Sequence, residues 1–278
     1  MKGGTVLHTA ALIALFYEPS RVKRTVDVIR SLDLAHPHGR LVCVINGTRI
    51  TPDVLRAALG GLAARSTILV HDNSGMEFGG YQAGLDQLAA GETGRLVILN
   101  DTIGSHQHLS GRSVRALSAA LHAEQEANFV VGPICHSARL LRIGGLSGSR
   151  WIRSNLIGFD NAAVEAIGRR VFDPALDASV RGGADPQRFF AETLDPSVAG
   201  HIGAWLFSQT GTRWYRAEPL SSANAELMAM KARAVLHELN LSLRLDAAGA
   251  AFREPVLRAP GRWIEKIELR LFAKGGGH

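Results

Sequence analysis

Short, nearly uninterrupted apolar runs recur through the first half of the chain. Between them lie stretches whose apolar residues return every three or four positions. The run ALIALFY (11–17) reads as a buried strand. Pro19 and Ser20 open a helix to about Leu32, with Val22, Val26 and Ile29 on one face. LVCVIN (41–46) is a second strand, ended by Gly47. Thr51 and Pro52 have the form of a cap and a first-turn proline, predicting a helix to about Ala64. STILVHD (66–72) is a third strand, Gly79 to Ala89 a helix, and RLVILND (95–101) a fourth strand. Ser110 through Glu126 is helical and NFVVGPI (128–134) a fifth strand. Apolar strands alternating with amphipathic helices specify a mostly parallel sheet covered on both faces, hence an α/β fold class.

Beyond position 150 the pattern loosens. WIRSNLIGFD (151–160) reads as another strand and NAAVEAIGRRVF (161–172) as a helix. DASVRGGADPQ (177–187) is a loop, and PSVAGHIGAWLFSQTG (196–211) a helix closed by Gly211. NAELMAMKARAVLHELNLSLRL (224–245) is a long helix. The end, GRWIEKIELRLFAKGGGH, sets Trp263, Ile264, Ile267, Leu269, Leu271 and Phe272 among Arg262, Lys266, Arg270 and Lys274. Two readings stay open for it: a segment packed on its own domain, or a peripheral contact with an anionic membrane. The expected organisation is one domain over 1–220 and a C-terminal helical extension over 221–278, with no internal repeat.

Composition narrows the function classes. A chain of 278 residues, 46% hydrophobic and 20% charged with mean hydropathy +0.06, can bury a sizeable core. Aromatics are 6%, which argues against a stacking-based single-strand binder. The net charge of +6 and pI near 9.8 favour an anionic partner. The basic residues are dispersed, so nucleic acid gains no motif support. Cys43 and Cys135, both in apolar runs, exclude a disulfide scaffold and a four-cysteine zinc site, and read as core residues. No run reaches the roughly 18 apolar residues that span a bilayer. Lys2 followed by VLHTAALIALF faintly resembles a signal peptide, but Tyr17, Glu18 and Pro19 follow with no small-residue cleavage site. The expected location is the cytoplasm, with membrane association as the alternative left by the C-terminal segment.

Several nucleotide and hydrolase signatures are missing. No G-x-G-x-x-G follows the first strand, and there is no G-x-x-x-x-G-K-[ST]. GGLSGS (144–149) only approximates a nucleophile elbow. His106 and His108 form an H-x-H pair that reads as a solvated loop, with metal or substrate binding as the alternative.

The informative segments are HDNSGMEFGGYQAGL (71–85) and VILNDTIGS (97–105). In a parallel sheet, ligands bind outside the carboxyl ends of the strands. Tyr17 and Glu18, Asn46 and Gly47, His71 to Asn73, and Asn100 to Thr102 follow the first four strands. Gly75, Gly79 and Gly80 permit close backbone approach, and a helix starting near Gly79 would aim its N-terminus at a phosphate. A carboxylate such as Asp101 beside a phosphate commonly holds a divalent cation or a sugar hydroxyl. The pieces fit a nucleotide-diphosphate ligand; the competing reading is a turn-rich connection with ordinary caps.

DNSGMEFGGYQAGL and LVILNDT, in this order and spacing, resemble glycosyltransferases of the GT-A fold, of the family-2 type. Within that group they most resemble rhamnan-synthesis F-type proteins. Those show Asn-x-Gly, an aromatic, glycines and a "GL" helix, then an apolar strand ending in Asn-Asp-Ser or Asn-Asp-Thr. FYEP at the first strand and SNLIGFDNAAVEAI (154–167) extend the resemblance over about residues 10–215. It implies a GT-A sheet and an inverting transfer of sugar from a nucleotide-diphosphate donor to a hydroxyl of a glycan or other acceptor. It implies that Phe16, Tyr17 and Glu18 border the nucleobase and ribose, and that Asp72 and Asn73 contact them. Gly79 and Gly80 would open the helix beside the donor sugar. Asn100, Asp101 and Thr102 would stand in the place of the Asp-x-Asp motif, whose carboxylates hold manganese or magnesium. Only Asp101 is a carboxylate here, so it is the candidate metal ligand, with Arg or Lys as the alternative means of neutralising the leaving group.

An inverting transfer needs a general base. The family places an acid near the start of the helix predicted to end at Gly211. The candidates in that zone are Glu192, Asp195 and His201, with a helix cap as the plain reading of Asp195 and a packed side chain as that of His201. Two other functions remain open: a non-catalytic nucleotide-sugar-binding or scaffold protein, supported by the incomplete acidic motif, and a nucleotidyltransferase on a related fold.

Overall fold

The computed structural model describes residues 10–35, 38–90, 94–103, 110–122, 127–208, 210, 214, 216–255 and 264. His106, His108, Gly211 and nearly all of the C-terminal amphipathic segment lie outside the described residues.

The first apolar run forms strand β1 (Ala10–Phe16), in which all seven residues are buried. Its central place explains that burial. β2 (His38–Asn46) pairs with it in parallel on one side and β4 (Arg95–Asn100) on the other, so Ala14 sits between Cys43 and Leu99. β3 (Ser66–His71) adds outside β2. Helices complete the crossovers. A 3-10 turn (Pro19–Arg21) leads into α1 (Val22–Ala35). Thr51 caps α2 (Pro52–Leu59), as its hydroxyl and the following proline specify. The helix expected to reach Ala64 breaks at Gly60, whose φ of 58° lies in the left-handed region, and continues as a 3-10 turn over Gly60–Arg65. α3 (Met76–Leu85) returns to β4, and α4 (Gly111–His122) follows it.

Past α4 the topology departs from simple alternation. β5 (Phe129–Val131) is short, and a long hairpin, β6 (Ile134–Ile143) and β7 (Leu146–Ile152), forms a separate two-stranded sheet. Its turn is made by Gly144 and Gly145, both at positive φ. The single strand expected over 151–160 is therefore two. Trp151 and Ile152 end β7, the chain turns at Ser154 and Asn155, and β8 (Leu156–Asp160) enters the main sheet antiparallel to β4 and β5. α5 (Asn161–Ala166), α6 (Pro196–Phe207) and α7 (Ala225–Ala247) follow, and β9 (Ala251–Arg253) pairs in parallel with β5 at the sheet edge. The seven-stranded order is β3-β2-β1-β4-β8-β5-β9, with β8 the one reversed strand.

Three apolar clusters hold these layers. Ile13, Leu15, Phe78, Tyr81 and Leu241 belong to the cluster on one face of the sheet. Leu12, Phe16, Val26, Ile29, Leu55 and Leu117 belong to the one on the other. The third joins α6 and α7 to the hairpin through Ile143, Val198, Ile202 and Leu239. Cys43 is buried in the second cluster, which pushes its thiol up to about 12. Cys135, expected in the core, lies half-buried on the hairpin, where its Sγ accepts a hydrogen bond from Arg153 Nε at 3.1 Å. Among the described residues no helix is long and apolar enough to cross a membrane.

Candidate active site at the strand ends

The carboxyl ends of β1, β2, β3 and β4 bring polar residues together at one edge of the sheet, and hydrogen bonds link them. Asn46, at the end of β2, donates from Nδ2 to the Tyr17 hydroxyl (2.8 Å) and to the Met76 carbonyl (2.9 Å). A carbonyl only accepts, so the amide orientation is determined, and Asn46 Oδ1 faces His71 Nδ1 at 2.7 Å. The Asn73 backbone N–H also points at His71 Nδ1 (3.2 Å), and Nε2 lies 3.8 Å from Asp72 Oδ1. Burial holds the Tyr17 phenol well above its ordinary value, and the nearby Glu77 carboxylate adds to this.

The turn into α3 is wound by left-handed backbone at Asn73 (φ 70°), Gly75 (φ 66°) and Met76 (φ 52°). Asp72 is exposed and accepts from Ser74 N at 2.9 Å, and these bonds lower its carboxyl below the ordinary carboxylate value. Asn73 Oδ1 is enclosed without a hydrogen-bond partner among the described residues. The helix starts at Met76, so Gly79 and Gly80 lie a turn inside it and do not open it. Their absent side chains serve packing. A Cβ at Gly79 would overlap the Ser74 carbonyl oxygen, and one at Gly80 would come within 3.0 Å of Leu15 Cδ2 and 3.2 Å of Asn46 Nδ2. Phe16 does not border the crevice either. It is wholly buried in the second cluster, because alternation along β1 turns it to the face away from Leu15.

At the end of β4, Asp101 is wholly enclosed. Its Oδ2 accepts from the backbone N–H of Tyr17 (2.7 Å) and of Glu18 (2.8 Å), and Oδ1 lies 3.5 Å from Arg21 Nη1. Burial raises its carboxyl above the ordinary value, against the opposing effects of the two amides and Arg21. Asn100 Oδ1 accepts from Thr102 N (3.1 Å) and from the Thr102 hydroxyl. The Glu18 carboxylate pairs with Arg49. Among the described residues no three His, Cys, Asp or Glu side chains gather in a way that could hold a metal ion. Both amides engage Oδ2, while Oδ1 is enclosed without a hydrogen-bond partner among the described residues and lies beside the Arg21 guanidinium; Asn100 and Thr102 supply no charge. Asp101 alone is a single carboxylate oxygen for a divalent cation, which would need its other ligands from the donor phosphates.

The sequence left a second group of residues unremarked. Ser154, in the turn before β8, donates from N and from Oγ to Glu238 Oε2, both at 2.7 Å, and its Oγ lies 3.4 Å from Glu77 Oε1. Tyr81 donates to the Ser154 carbonyl at 2.7 Å. The next residue, Asn155, accepts at its carbonyl from Asn100 N (3.2 Å), which ties the turn to the end of β4. Glu77 and Glu238 thus flank one serine beside the strand ends. Burial raises the Glu238 carboxyl, and Glu77 reinforces this, while the Ser154 bonds and Lys231 oppose it. Glu77 was within reach of sequence reasoning, since it falls inside the motif at 71–85. Glu238 was not, because nothing on a long helix marks which polar residue faces inward to a turn 84 residues earlier.

Asp195 and His201 belong to the cap and body of α6, and Glu192 precedes it. Asp195 caps α6, accepting from Ser197 N (2.8 Å) and Oγ (2.6 Å), and those bonds lower its carboxyl. His201 packs edge-on against Trp151 of the hairpin, with ring centroids 5.1 Å apart, and burial lowers its basicity. Glu192 is exposed. No hydrogen bond, ion pair or ring contact among the described residues joins these three to Tyr17, Asn46, His71, Asn100 or Asp101.

No protein-family model matches the chain, and no curated protein matches it in sequence. Solved structures overlap with it in part. A mannose-1-phosphate geranyltransferase from Thermus thermophilus is 16% identical, with TM-score 0.36 over 59% of this chain and 60% of its own. A galactosyltransferase in complex with donor and acceptor sugar analogues is 12% identical, with TM-score 0.34 over 61% of this chain and 62% of its own. The mannosyltransferase of Pyrobaculum calidifontis, in complex with GDP-mannose and Mn2+, is 11% identical, with TM-score 0.42 over 95% of this chain and 80% of its own. The chain thus spans about three fifths of the first two proteins. Overlaps this loose assign no activity or ligand to it.

Proposed function

We propose that the chain is a glycosyltransferase of GT-A type that binds a nucleotide-diphosphate sugar at the carboxyl ends of β1–β4 and passes the sugar to a hydroxyl of a glycan or other acceptor, with inversion. The observation that carries the reading is the linked set Tyr17, Asn46, His71 and Asp101. Four successive parallel strands each deliver a polar residue to one edge, where ligands of such sheets bind. The resemblance of DNSGMEFGGYQAGL and LVILNDT to this family falls on the same edge. The proposal extends to a cytoplasmic location, with membrane association as the alternative, and to residues 221–278 as a C-terminal extension of the transferase domain.

Inversion requires a base on the acceptor hydroxyl. Glu238 suits the role better than Glu192, Asp195 or His201. Ser154 occupies only Oε2, and burial raises the proton affinity of the carboxylate, which makes its ionised form the stronger base.

The test is thermal unfolding of the full chain against a panel of nucleoside diphosphates and nucleotide sugars. A ligand at ~100 times its dissociation constant adds about 2.7 kcal/mol. Stabilisation by one nucleobase series, followed by release of the matching diphosphate with an acceptor present, is the expected result. Release of pyrophosphate would select the nucleotidyltransferase reading. Donor binding without transfer to any acceptor would select the scaffold reading.

A further inference from the structure

We propose that Ser154 and Glu77 are positioning residues of the transfer: Ser154 fixes one oxygen of the Glu238 carboxylate so that the other meets the acceptor hydroxyl, and Glu77, the second carboxylate at the same serine, tunes Glu238 through its charge. This rests on the transferase reading above, with Glu238 as its base. Three segments far apart in sequence make the arrangement. Glu238 stands on α7, Glu77 in the first turn of α3, and Ser154 in the turn between β7 and β8.

The serine turn is anchored independently of either carboxylate. Tyr81 on α3 donates to the Ser154 carbonyl at 2.7 Å, and Asn100 N at the end of β4 donates to the Asn155 carbonyl at 3.2 Å. Ser154 itself is buried. From this fixed turn two donors, the backbone N–H and the hydroxyl, converge on Glu238 Oε2, each at 2.7 Å. A glutamate side chain has many rotamers to lose, and two donors in fixed directions select one orientation of its carboxylate. Oε1 makes no hydrogen bond among the described residues, and Glu238 is half-buried. The carboxylate is thus held by one oxygen and presents the other, as alignment with a reacting hydroxyl requires.

Ser154 has one hydroxyl proton and two carboxylates near it. Its Oγ lies 2.7 Å from Glu238 Oε2 and 3.4 Å from Glu77 Oε1, so the proton goes to Glu238. Glu77 therefore acts on Glu238 by charge. Burial raises the Glu238 carboxyl and the Glu77 charge adds to this, while the Ser154 bonds and Lys231, on the same helix, lower it. The serine and Glu77 pull the proton affinity of the base in opposite directions. In the transfer, the acceptor oxygen bonds to the anomeric carbon and its proton passes to Glu238 Oε1. The bond from the anomeric carbon to the diphosphate oxygen breaks, and its electron pair leaves with the diphosphate. Ser154 keeps its own proton and steadies Oε2 throughout.

The experiment offers the full chain UDP-glucose, GDP-mannose and TDP-glucose with water as acceptor, and follows release of the nucleoside diphosphate from acid to neutral pH. The rate should rise with pH as Glu238 ionises. Ser154→Ala should lower kcat about ten- to a hundredfold with KM little changed. It should also move the rise to higher pH, because a donor that favours the ionised carboxylate is gone. Ser154→Thr keeps the hydroxyl and should restore both. Glu77→Gln should move the rise to lower pH, because a like charge is gone. Loss of packing alone does not displace the rise in opposite directions. The Glu77→Gln measurement stands even if Ser154→Ala fails to fold. A folded Ser154→Ala or Glu77→Gln variant whose rise stays where the parent has it overturns the proposal and leaves the transferase reading intact. So does a Glu238→Gln variant that turns over as fast as the parent. No release from any of the three donors by the parent chain overturns the transferase reading, and this proposal with it.

Discussion

Asp101 accepts the backbone N–H of Tyr17 at 2.7 Å across 84 residues of sequence, and so fastens the end of β4 to the chain leaving β1. The adjacent Glu18 N–H adds a second bond to the same oxygen. Asp101→Ala leaves both amides without their acceptor and Arg21 without its counter-charge. The expected loss is about 3 kcal/mol. It is read as a drop in melting temperature of roughly 2–4 °C per kcal/mol. A variant that melts with the parent would show that these bonds are not formed in solution.

A second prediction concerns Glu238. Burial raises its carboxyl, so the folded state favours the protonated form. The stability this gives is fully present below the unfolded carboxyl value, and is lost as pH rises through the raised folded value. Glu238→Gln cannot ionise and does not suffer that loss. Relative to the parent, the variant should therefore gain stability between acid and neutral pH in denaturant titrations. A constant difference across that range would contradict the assignment. In the transfer assay the same variant should bind nucleotide normally and turn over about 10²–10⁴-fold more slowly.

The close seat of α3 on the sheet depends on Gly84. An added Cβ would lie 2.5 Å from Ile13 Cγ2, inside a core with no room to yield. Gly84→Ala should cost about 1–3 kcal/mol despite the better helix propensity of alanine. If equilibrium unfolding finds the variant more stable, propensity has outweighed packing at this helix.

Arg95 and Asp160 form an ion pair across β4 and β8, with 10% and 7% of their side chains exposed. Asp160 also caps α5 through Ala162 N (3.1 Å) and accepts Asn128 N (2.8 Å). Asp160→Ala strands a buried guanidinium, at an expected cost of about 3–5 kcal/mol. Replacing both partners with apolar residues should cost less than replacing Asp160 alone. A double variant as unstable as the single one would place the loss in the cap instead.

The sequence by itself determined the four strands of the first hundred residues and the presence of the helices between them, though not where α2 ends or α3 begins. β1, β4 and residues 41–46 of β2 are runs such as ALIALFY or LVCVIN, and full burial on both faces leaves a local signature that needs no partner to be read. It also determined which segments end at the crevice, because strand direction in a parallel sheet follows from alternation with helices. It marked Tyr17, His71 and Asp101 as residues following strands. Tertiary structure alone decided what those residues do there. That Asp101 Oδ2 holds two backbone amides depends on where the chain leaving β1 passes, and no spacing in the sequence records that. The glycines at 79 and 80 are permissive in any context, and only the distance of the helix from β1 and β2 makes them a packing requirement. The hairpin and the reversed β8 escape a sequence reading for a related reason. Half-exposed strands carry weaker periodicity, and their pairing is set by contacts distant in sequence. The pairing of Glu77 and Glu238 through Ser154 joins three separate segments, so it exists only once α7 has packed on the sheet.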